Sequence, residues 1–213
     1  MKIALVCPAS LPATQFGGIL FLCVDIAREL SKKGHQISIY TTDLDFANNA
    51  NTFSKNLPRI EKINQFYIKR SHVWIAFKLF FFNPSMFFQM RKDNFDIIHS
   101  IGVRSFQSFI AALIARQKNI PFVISDQGGL TTHPDIIMGK FINKLIYRLQ
   151  SPIIKFIINQ ATKIIVANEY EKNIFLEFTR EDKISIVKNG INLEDFNKPI
   201  VDFRKKYSIS EEY

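Results

Sequence analysis

The sequence predicts an α/β domain, a mostly parallel sheet of about seven strands with helices on both faces. Three observations carry this. Short β-type apolar runs alternate along the chain with longer runs of helical period. Apolar residues make up 47% of the 213 residues and charged residues 22%, ordinary usage for a chain that builds a core. The first apolar run, Lys2 to Cys7, reads hydrophobic on both faces, as a strand covered by helices on two sides must.

The elements follow in order. Lys2 to Cys7 predicts a central strand. Gly18 to Lys33 predicts a helix with Ile19, Leu22, Cys23, Ile26, Ala27 and Leu30 on its buried side. Lys32 and Lys33 suit its C-terminus, and Gly34 supplies a left-handed cap. Gln36 to Thr41 reads as the second strand. Asp43 to Lys55 is polar and Asn-rich and reads as a mobile loop. Further strands are expected at Ile63–Arg70, Phe95–His99, Ile120–Ile124, Lys163–Ala167 and Ile184–Val187. Helices are expected at 75–92, broken at Asn83-Pro84, and at 103–117, 138–160 and 168–178. One domain over residues 1–200 is expected, with the charged stretch 201–213 as the start of a linker.

Composition excludes several classes. Leu, Ile, Val and Phe are too common for a disordered chain, and 8 Gly and 2 Cys rule out collagen and disulfide scaffolds. Cys7 and Cys23 lie in apolar runs and read as small buried hydrophobes. With four His, none at ligand spacing, no metal site is expected. Pro8 and Pro12 cut the apolar N-terminus too short for a signal peptide. Lys78 and Asn83-Pro84 interrupt the stretch from Ser71 to Met90, which argues against a membrane span. The cytoplasm is the default compartment.

In a parallel sheet, ligands bind beyond the carboxyl ends of the strands, so the loops there hold the candidate residues. Gly17-Gly18 stands directly before a helix, where glycine lets backbone approach a phosphate or sugar hydroxyl, or simply makes a tight turn. No third glycine follows before Gly34, so this is not the dinucleotide fingerprint. Ser125, Asp126, Gln127, Gly128, Gly129 and Leu130 form a polar, glycine-rich loop after the fifth strand, read as a binding loop rather than a simple chain reversal. His133 shares that loop. His99 either reaches the crevice or holds the loop by a backbone hydrogen bond. Glu169 opens a helix, where an acid suits the dipole, and Asn168 is a candidate N-cap. His35 and His72 read as structural or exposed.

The charge is +9, from 28 basic and 19 acidic residues. Two segments concentrate it. Lys62 to Lys92 holds six basic residues, no acid, and Phe66, Phe77, Phe80, Phe81, Phe82, Phe87, Phe88 and Trp74. Ile136 to Asn168 holds five basic residues and no acid. Lys140, Lys144, Arg148 and Lys155 fall within roughly 80° on a helical wheel, beside an apolar arc. Such a helix either lies on an anionic membrane or packs on the core with a solvated lysine face. No nucleic-acid-reading motif accompanies the charge, so nucleic acid is not an expected partner.

Taken together, the pieces resemble one family. They are Gly17-Gly18 before a helix running to Lys33-Gly34-His35, then Phe95-Asp96-Ile97-Ile98-His99-Ser100 and Ile120-Pro121-Phe122-Val123-Ile124. Ala161-Thr162-Lys163-Ile164-Ile165-Val166, Asn168-Glu169-Tyr170-Glu171-Lys172 and Val187-Lys188-Asn189-Gly190-Ile191-Asn192 complete the series. This looks like the N-terminal half of a family 4 glycosyltransferase of the GT-B fold. The resemblance implies a Rossmann-like, acceptor-binding half of a retaining hexosyltransferase that uses a nucleotide-sugar donor, no cofactor and no metal. The acceptor would be a glycan or a lipid-linked sugar, and the enzyme would sit in the cytoplasm or on the inner face of the plasma membrane. Gly17 and Gly18 would lie near the donor diphosphate and the acceptor. Gln127 matches the place where many relatives carry a histidine against the transferred sugar. Glutamine cannot carry a proton, so at that catalytic position it can only hydrogen-bond a hydroxyl. The implied substrate contacts are thus Gly17, Gly18, His99, Asp126, Gln127, Gly128, Gly129, Glu169, Asn189 and Gly190. The donor domain is expected to lie beyond this chain. The rival expectation is a non-catalytic Rossmann-like binding module, or a split-enzyme subunit, that recruits a partner or a glycolipid.

Overall fold

The computed structural model describes residues 1–46, 52–77, 80–130 and 141–190, with 141–149 as backbone. The chain forms an eight-stranded sheet. Its strands are β1 (Lys2–Val6), β2 (Gln36–Thr42), β5 (Ile60–Ile63), β6 (Phe66–Ser71), β9 (Ile97–Ile101), β10 (Phe122–Ser125), β11 (Lys163–Val166) and β12 (Ile184–Ile186). They stand in the order β12-β11-β10-β9-β1-β2-β6-β5. Every pairing is parallel except β5 with β6. β1 lies between β9 and β2, and Ala4, Leu5 and Val6 have no accessible surface. The all-apolar run placed this strand correctly in the middle.

Two cores follow from the alternation of β1. Ala4 and Val6 join one cluster and Ile3 and Leu5 the other. The first is covered by α2 (Ser85–Lys92), α3 (Phe106–Lys118), α4 (Phe141–Gln160) and α5 (Glu169–Leu176), through Met86, Met90, Ile110, Ile114, Ile157 and Phe175 among others. The second is covered by α1 (Gly18–Lys32), through Leu20, Cys23, Val24 and Ala27. Cys7 and Cys23 are free and buried.

Local signals set the helix ends. Gly34 takes φ +84° after α1, as the glycine cap requires. The Ser105 hydroxyl accepts the Ser108 N–H at 3.0 Å to start α3, and Asn119 ends it with φ 53°. The Asn168 side chain accepts the Glu171 N–H at 2.9 Å and caps α5.

The structure corrects three expectations. The helix expected over 75–92 exists only from Ser85. Before it stands an antiparallel hairpin, β7 (Ile75–Phe77) with β8 (Phe80–Phe82). Bulky aromatic and branched side chains fit a pleated surface, and period-two alternation buries Phe81 while Phe77 and Phe80 point outward. The loop expected at Asp43–Lys55 is partly a second hairpin, β3 (Leu44–Phe46) with β4 (Thr52–Phe53), tied by the Thr52 hydroxyl to Asp45 at 2.6 Å. The strand at Ile63–Arg70 is two strands, since Asn64 at φ 52° turns the chain between β5 and β6. Residues 138–140 and 191–213, the linker included, lie outside the described residues. No helix among the described residues is long and apolar enough to cross a membrane.

Candidate functional site

The carboxyl ends of β1, β2, β6, β9, β10 and β12 share one edge of the sheet, and the candidate residues collect there. The loop from Pro8 to Gly17 runs over this edge and is fastened to two neighbouring strands. The Thr42 hydroxyl donates to the Pro8 carbonyl at 2.7 Å, and the buried Arg70 guanidinium donates to the Leu11 carbonyl at 2.7 Å. Arg70 also bonds the Pro58 carbonyl and Glu61, so its charge is spent on holding the scaffold. The loop ends at Gly17, with φ +105° and ψ −161°, a conformation essentially reserved for glycine. Gly18 opens α1, and no side chain caps that end. A Cβ at Gly17 or Gly18 would meet nothing within 4 Å. Gly17 is therefore required by its backbone, and open space lies against the helix N-terminus.

His99 sits inside β9 rather than at its end, level with Leu5 and Val123. Its Nε2 pairs with the Ser125 hydroxyl at 2.7 Å. The ring is half-buried, and desolvation draws its pKa down to about 4, so it is neutral at physiological pH. Ser125 ends β10, and the neighbouring bond from the Gly102 N–H to the Ser125 carbonyl, 2.7 Å, ties the two strand ends together.

The loop after β10 is built on Asp126. Its amide continues the sheet by donating to the Ile165 carbonyl at 3.1 Å, and its buried Oδ2 accepts the Leu130 N–H at 3.2 Å. The backbone N–H groups of Val103 and Gln127 also lie near the carboxylate, though Oδ1 makes no hydrogen bond of good geometry among the described residues. A Cβ at Gly129 would stand 2.9 Å from Oδ1, so glycine is what lets the loop close over the carboxylate. Burial lifts the Asp126 pKa to about 6, and the nearby Glu171 adds to the rise. Gly128 turns the loop with φ +77°.

The structure brings together residues that the sequence keeps far apart. Gln127 and Asn189 exchange amide hydrogen bonds: Asn189 Nδ2 donates to Gln127 Oε1 at 2.7 Å and Gln127 Nε2 to Asn189 Oδ1 at 3.4 Å. This exposed pair joins the loops after β10 and β12, with Gly190 beside it. Glu169 does not join it in this way. It is exposed in the first turn of α5, 3.9 Å from Lys172. The buried acid of that turn is Glu171, whose Oε2 accepts the Ala167 N–H at 2.8 Å.

One pair escaped the sequence reading. Asp43 is buried just beyond β2, and its Oδ2 lies 2.5 Å from Nδ1 of His72, just beyond β6. Asp43 Oδ1 also accepts the Val73 N–H at 3.0 Å. The signal was available, because both residues follow strands that are parallel neighbours. Ser125 was expected in the binding loop after β10, and its bond to His99 is what the sequence reading did not foresee. His133 and Lys140 lie outside the described residues. Lys144 and Arg148 fall on α4, where backbone alone is described, and Lys155 is exposed on α4.

This edge offers amides, hydroxyls and bare backbone, groups suited to a polyhydroxylated ligand. No group of three or more His, Cys, Asp or Glu able to hold a metal occurs among the described residues.

The sequence pattern of Glycosyltransferase Family 4 matches residues 16–195. The chain belongs to this family. Among solved structures, HepE from Anabaena, in complex with UDP and glucose, is similar to this family 4 chain with TM-score 0.62 and 13% identity. The match covers 98% of this chain and 50% of that one. Sucrose-phosphate synthase from Thermosynechococcus elongatus is similar with TM-score 0.59 and 13% identity, covering 92% and 93%. The catalytic domain of starch synthase IV from Arabidopsis thaliana, bound to ADP and acarbose, is similar with TM-score 0.53 and 12% identity, covering 95% and 54%. At such identities these likenesses establish the GT-B half-fold. The family 4 chain spans about half the length of HepE. No curated protein sequence matches it.

Proposed function

We propose that this chain is the acceptor-side half of a retaining hexosyltransferase that moves a sugar from a nucleotide-sugar donor to a glycan or lipid-linked acceptor. The observation that carries the reading is the carboxyl edge. There the open, uncapped start of α1 at Gly17-Gly18 and the Gln127–Asn189 amide pair stand in loops of one sheet. Both contribute hydrogen bonds without charge, which suits sugar hydroxyls. The buried Arg70 guanidinium is committed to Leu11, Pro58 and Glu61 and holds the scaffold. On this reading the donor's diphosphate is bound by a second domain facing this edge. In that arrangement Gln127 hydrogen-bonds the transferred sugar and passes no proton, and Asp126 shapes the loop from beneath. The chain works at the inner face of a membrane, where its basic segments meet anionic lipid.

The test separates the two substrates. Calorimetry of the chain with UDP-glucose, ADP-glucose and GDP-mannose is expected to give no heat at micromolar concentrations. NMR titration with neutral oligosaccharides at millimolar concentrations is expected to shift the amides of Gly17, Gly18, Gln127 and Asn189. Micromolar binding of a nucleotide sugar refutes the division of labour, and oligosaccharides that leave those amides unmoved refute the acceptor role.

A further inference from the structure

We infer that His72, aimed by the buried Asp43 carboxylate, is an outer contact of the acceptor site, so that the acceptor reaches the enzyme as an oligosaccharide chain and not as a single sugar. This rests on the reading of the chain as an acceptor-side half and names the substrate class within it.

Two neighbouring strands build the pair. Asp43 follows β2 and His72 follows β6, and the strands run parallel with Thr42 opposite Ser71. Their ends lie on the same carboxyl edge as those of β1 and β10. Both carboxylate oxygens of Asp43 are used. Oδ1 accepts the Val73 N–H at 3.0 Å, and Oδ2 lies 2.5 Å from His72 Nδ1. The Asp43 carbonyl accepts the Ser54 N–H at 2.9 Å. The acid is thus fixed by backbone on either side, with 6% of its side chain exposed.

A carboxylate can only accept, so the ring nitrogen that faces it carries the proton. In the neutral imidazole this leaves the lone pair on Nε2. Nε2 has no partner among the described residues, and the side chain is 24% exposed. Anchoring needs Nδ1 alone. This ring also holds a lone pair of fixed tautomer open on the edge where a parallel sheet binds its ligands.

The chemistry of the pair selects the ligand. A lone pair backed by a buried carboxylate accepts a hydroxyl proton and repels a phosphate oxygen, which suits an acceptor sugar and not the donor's diphosphate. Its neighbours belong to the loop that ends at Gly17. Thr42, one residue before Asp43, donates to the Pro8 carbonyl at 2.7 Å, and Arg70, two before His72, donates to the Leu11 carbonyl at 2.7 Å. The pair therefore stands beside that loop, farther out along the edge.

Spacing sets the length. In the order β10-β9-β1-β2-β6, Gln127 follows the first strand and His72 the last. Four strand spacings of about 4.8 Å put the two ends roughly 19 Å apart. One sugar ring cannot touch both, whereas a chain of several rings can.

His72→Asn separates anchoring from binding, because the Asn amide still donates to Asp43 while Nε2 is gone. The full chain, labelled with 15N, is titrated at pH 8 with methyl glucoside, maltopentaose and cellopentaose. The His72 ring signals are identified among the four His by their loss in the variant. Long-range 1H–15N correlations are expected to show the proton on Nδ1 and a bare Nε2. A pentasaccharide is expected to move the His72 ring and the Gly17 amide with one dissociation constant. His72→Asn is expected to keep the melting curve and to weaken pentasaccharide binding about three- to tenfold, the effect of one hydrogen bond. A proton on Nε2 overturns the inference. So does a pentasaccharide that moves the Gly17 and Gln127 amides but not the His72 ring, and so does methyl glucoside moving ring and amide with one constant. Unchanged affinity in the variant overturns it too. Should the variant unfold, the wild-type ring signals decide alone. If no sugar moves the Gly17 and Gln127 amides, the acceptor reading itself falls and takes this inference with it, a failure distinct from a still His72 ring beside moving amides.

Discussion

Asp126 sits without accessible surface beneath the loop after β10, with one carboxylate oxygen bonded to the Leu130 N–H. Burial raises its pKa from 3.8 to about 6. The folded chain thus binds this proton more tightly than the unfolded chain does. The stability contributed is fully present below about pH 3.8 and is lost as pH rises through about 6. Above that, the fold carries a buried charge. Two pH units at about 1.4 kcal/mol each put the cost at about 3 kcal/mol. Asp126→Asn keeps the acceptor for Leu130 and cannot ionise. Urea unfolding of both proteins at pH 4 and pH 8 measures the difference. The variant is expected to be close to wild type at pH 4 and to gain about 3 kcal/mol relative to it by pH 8. Taking the difference at each pH cancels the other carboxylates, several of which are held low by cationic partners, Asp93 by Lys69 and Glu181 by Lys172. A difference that does not change with pH would refute the reasoning. It would mean that Asp126 finds a proton-independent partner or is solvated in the fold.

Three further outcomes follow from the same geometry. Phe81→Ala removes a fully buried ring shared by the β7–β8 hairpin, β4 and the turn before Gly17, and should cost about 3–5 kcal/mol in denaturant unfolding. Gly17→Ala creates no clash but forces alanine to φ +105°, so it should lower stability by about 1–3 kcal/mol, read as a shift of the unfolding midpoint. Asn168→Ala removes the cap of α5 and should cost about 1 kcal/mol in the same assay, with loss of amide protection at Glu171 as its local signature.

Much of the fold was legible because its signals are local. The apolar run at Lys2–Val6 demands cover on both faces and stands mid-sheet. Gly34 and Asn168 cap their helices through geometry confined to a few residues. The Phe-rich stretch around 75–82 misled the reading. Its apolar residues run nearly unbroken, so period alone cannot separate a helix from a hairpin. The inward Phe81, between Phe16 and Phe53, decides it, and those rings come from distant segments.

The site divides along the same line. By itself the sequence determined the alternating architecture, the loops at the carboxyl ends, the family, and candidates such as Gly17 whose role is set by its own backbone angle. Which of those candidates meet was decided only by tertiary structure. Gln127 reaches Asn189 across 62 positions, His72 reaches Asp43 across 29, and His99 turns to Ser125 inside the sheet. Asp126 owes its raised pKa to burial under its own loop, with a further push from Glu171, which stands 45 positions away. Backbone preference is a property of a few consecutive residues and can be read along the chain. Hydrogen-bond partnership and desolvation depend on which strands lie side by side, and here the sheet runs β9-β1-β2-β6, an order set by packing and not by position in the sequence.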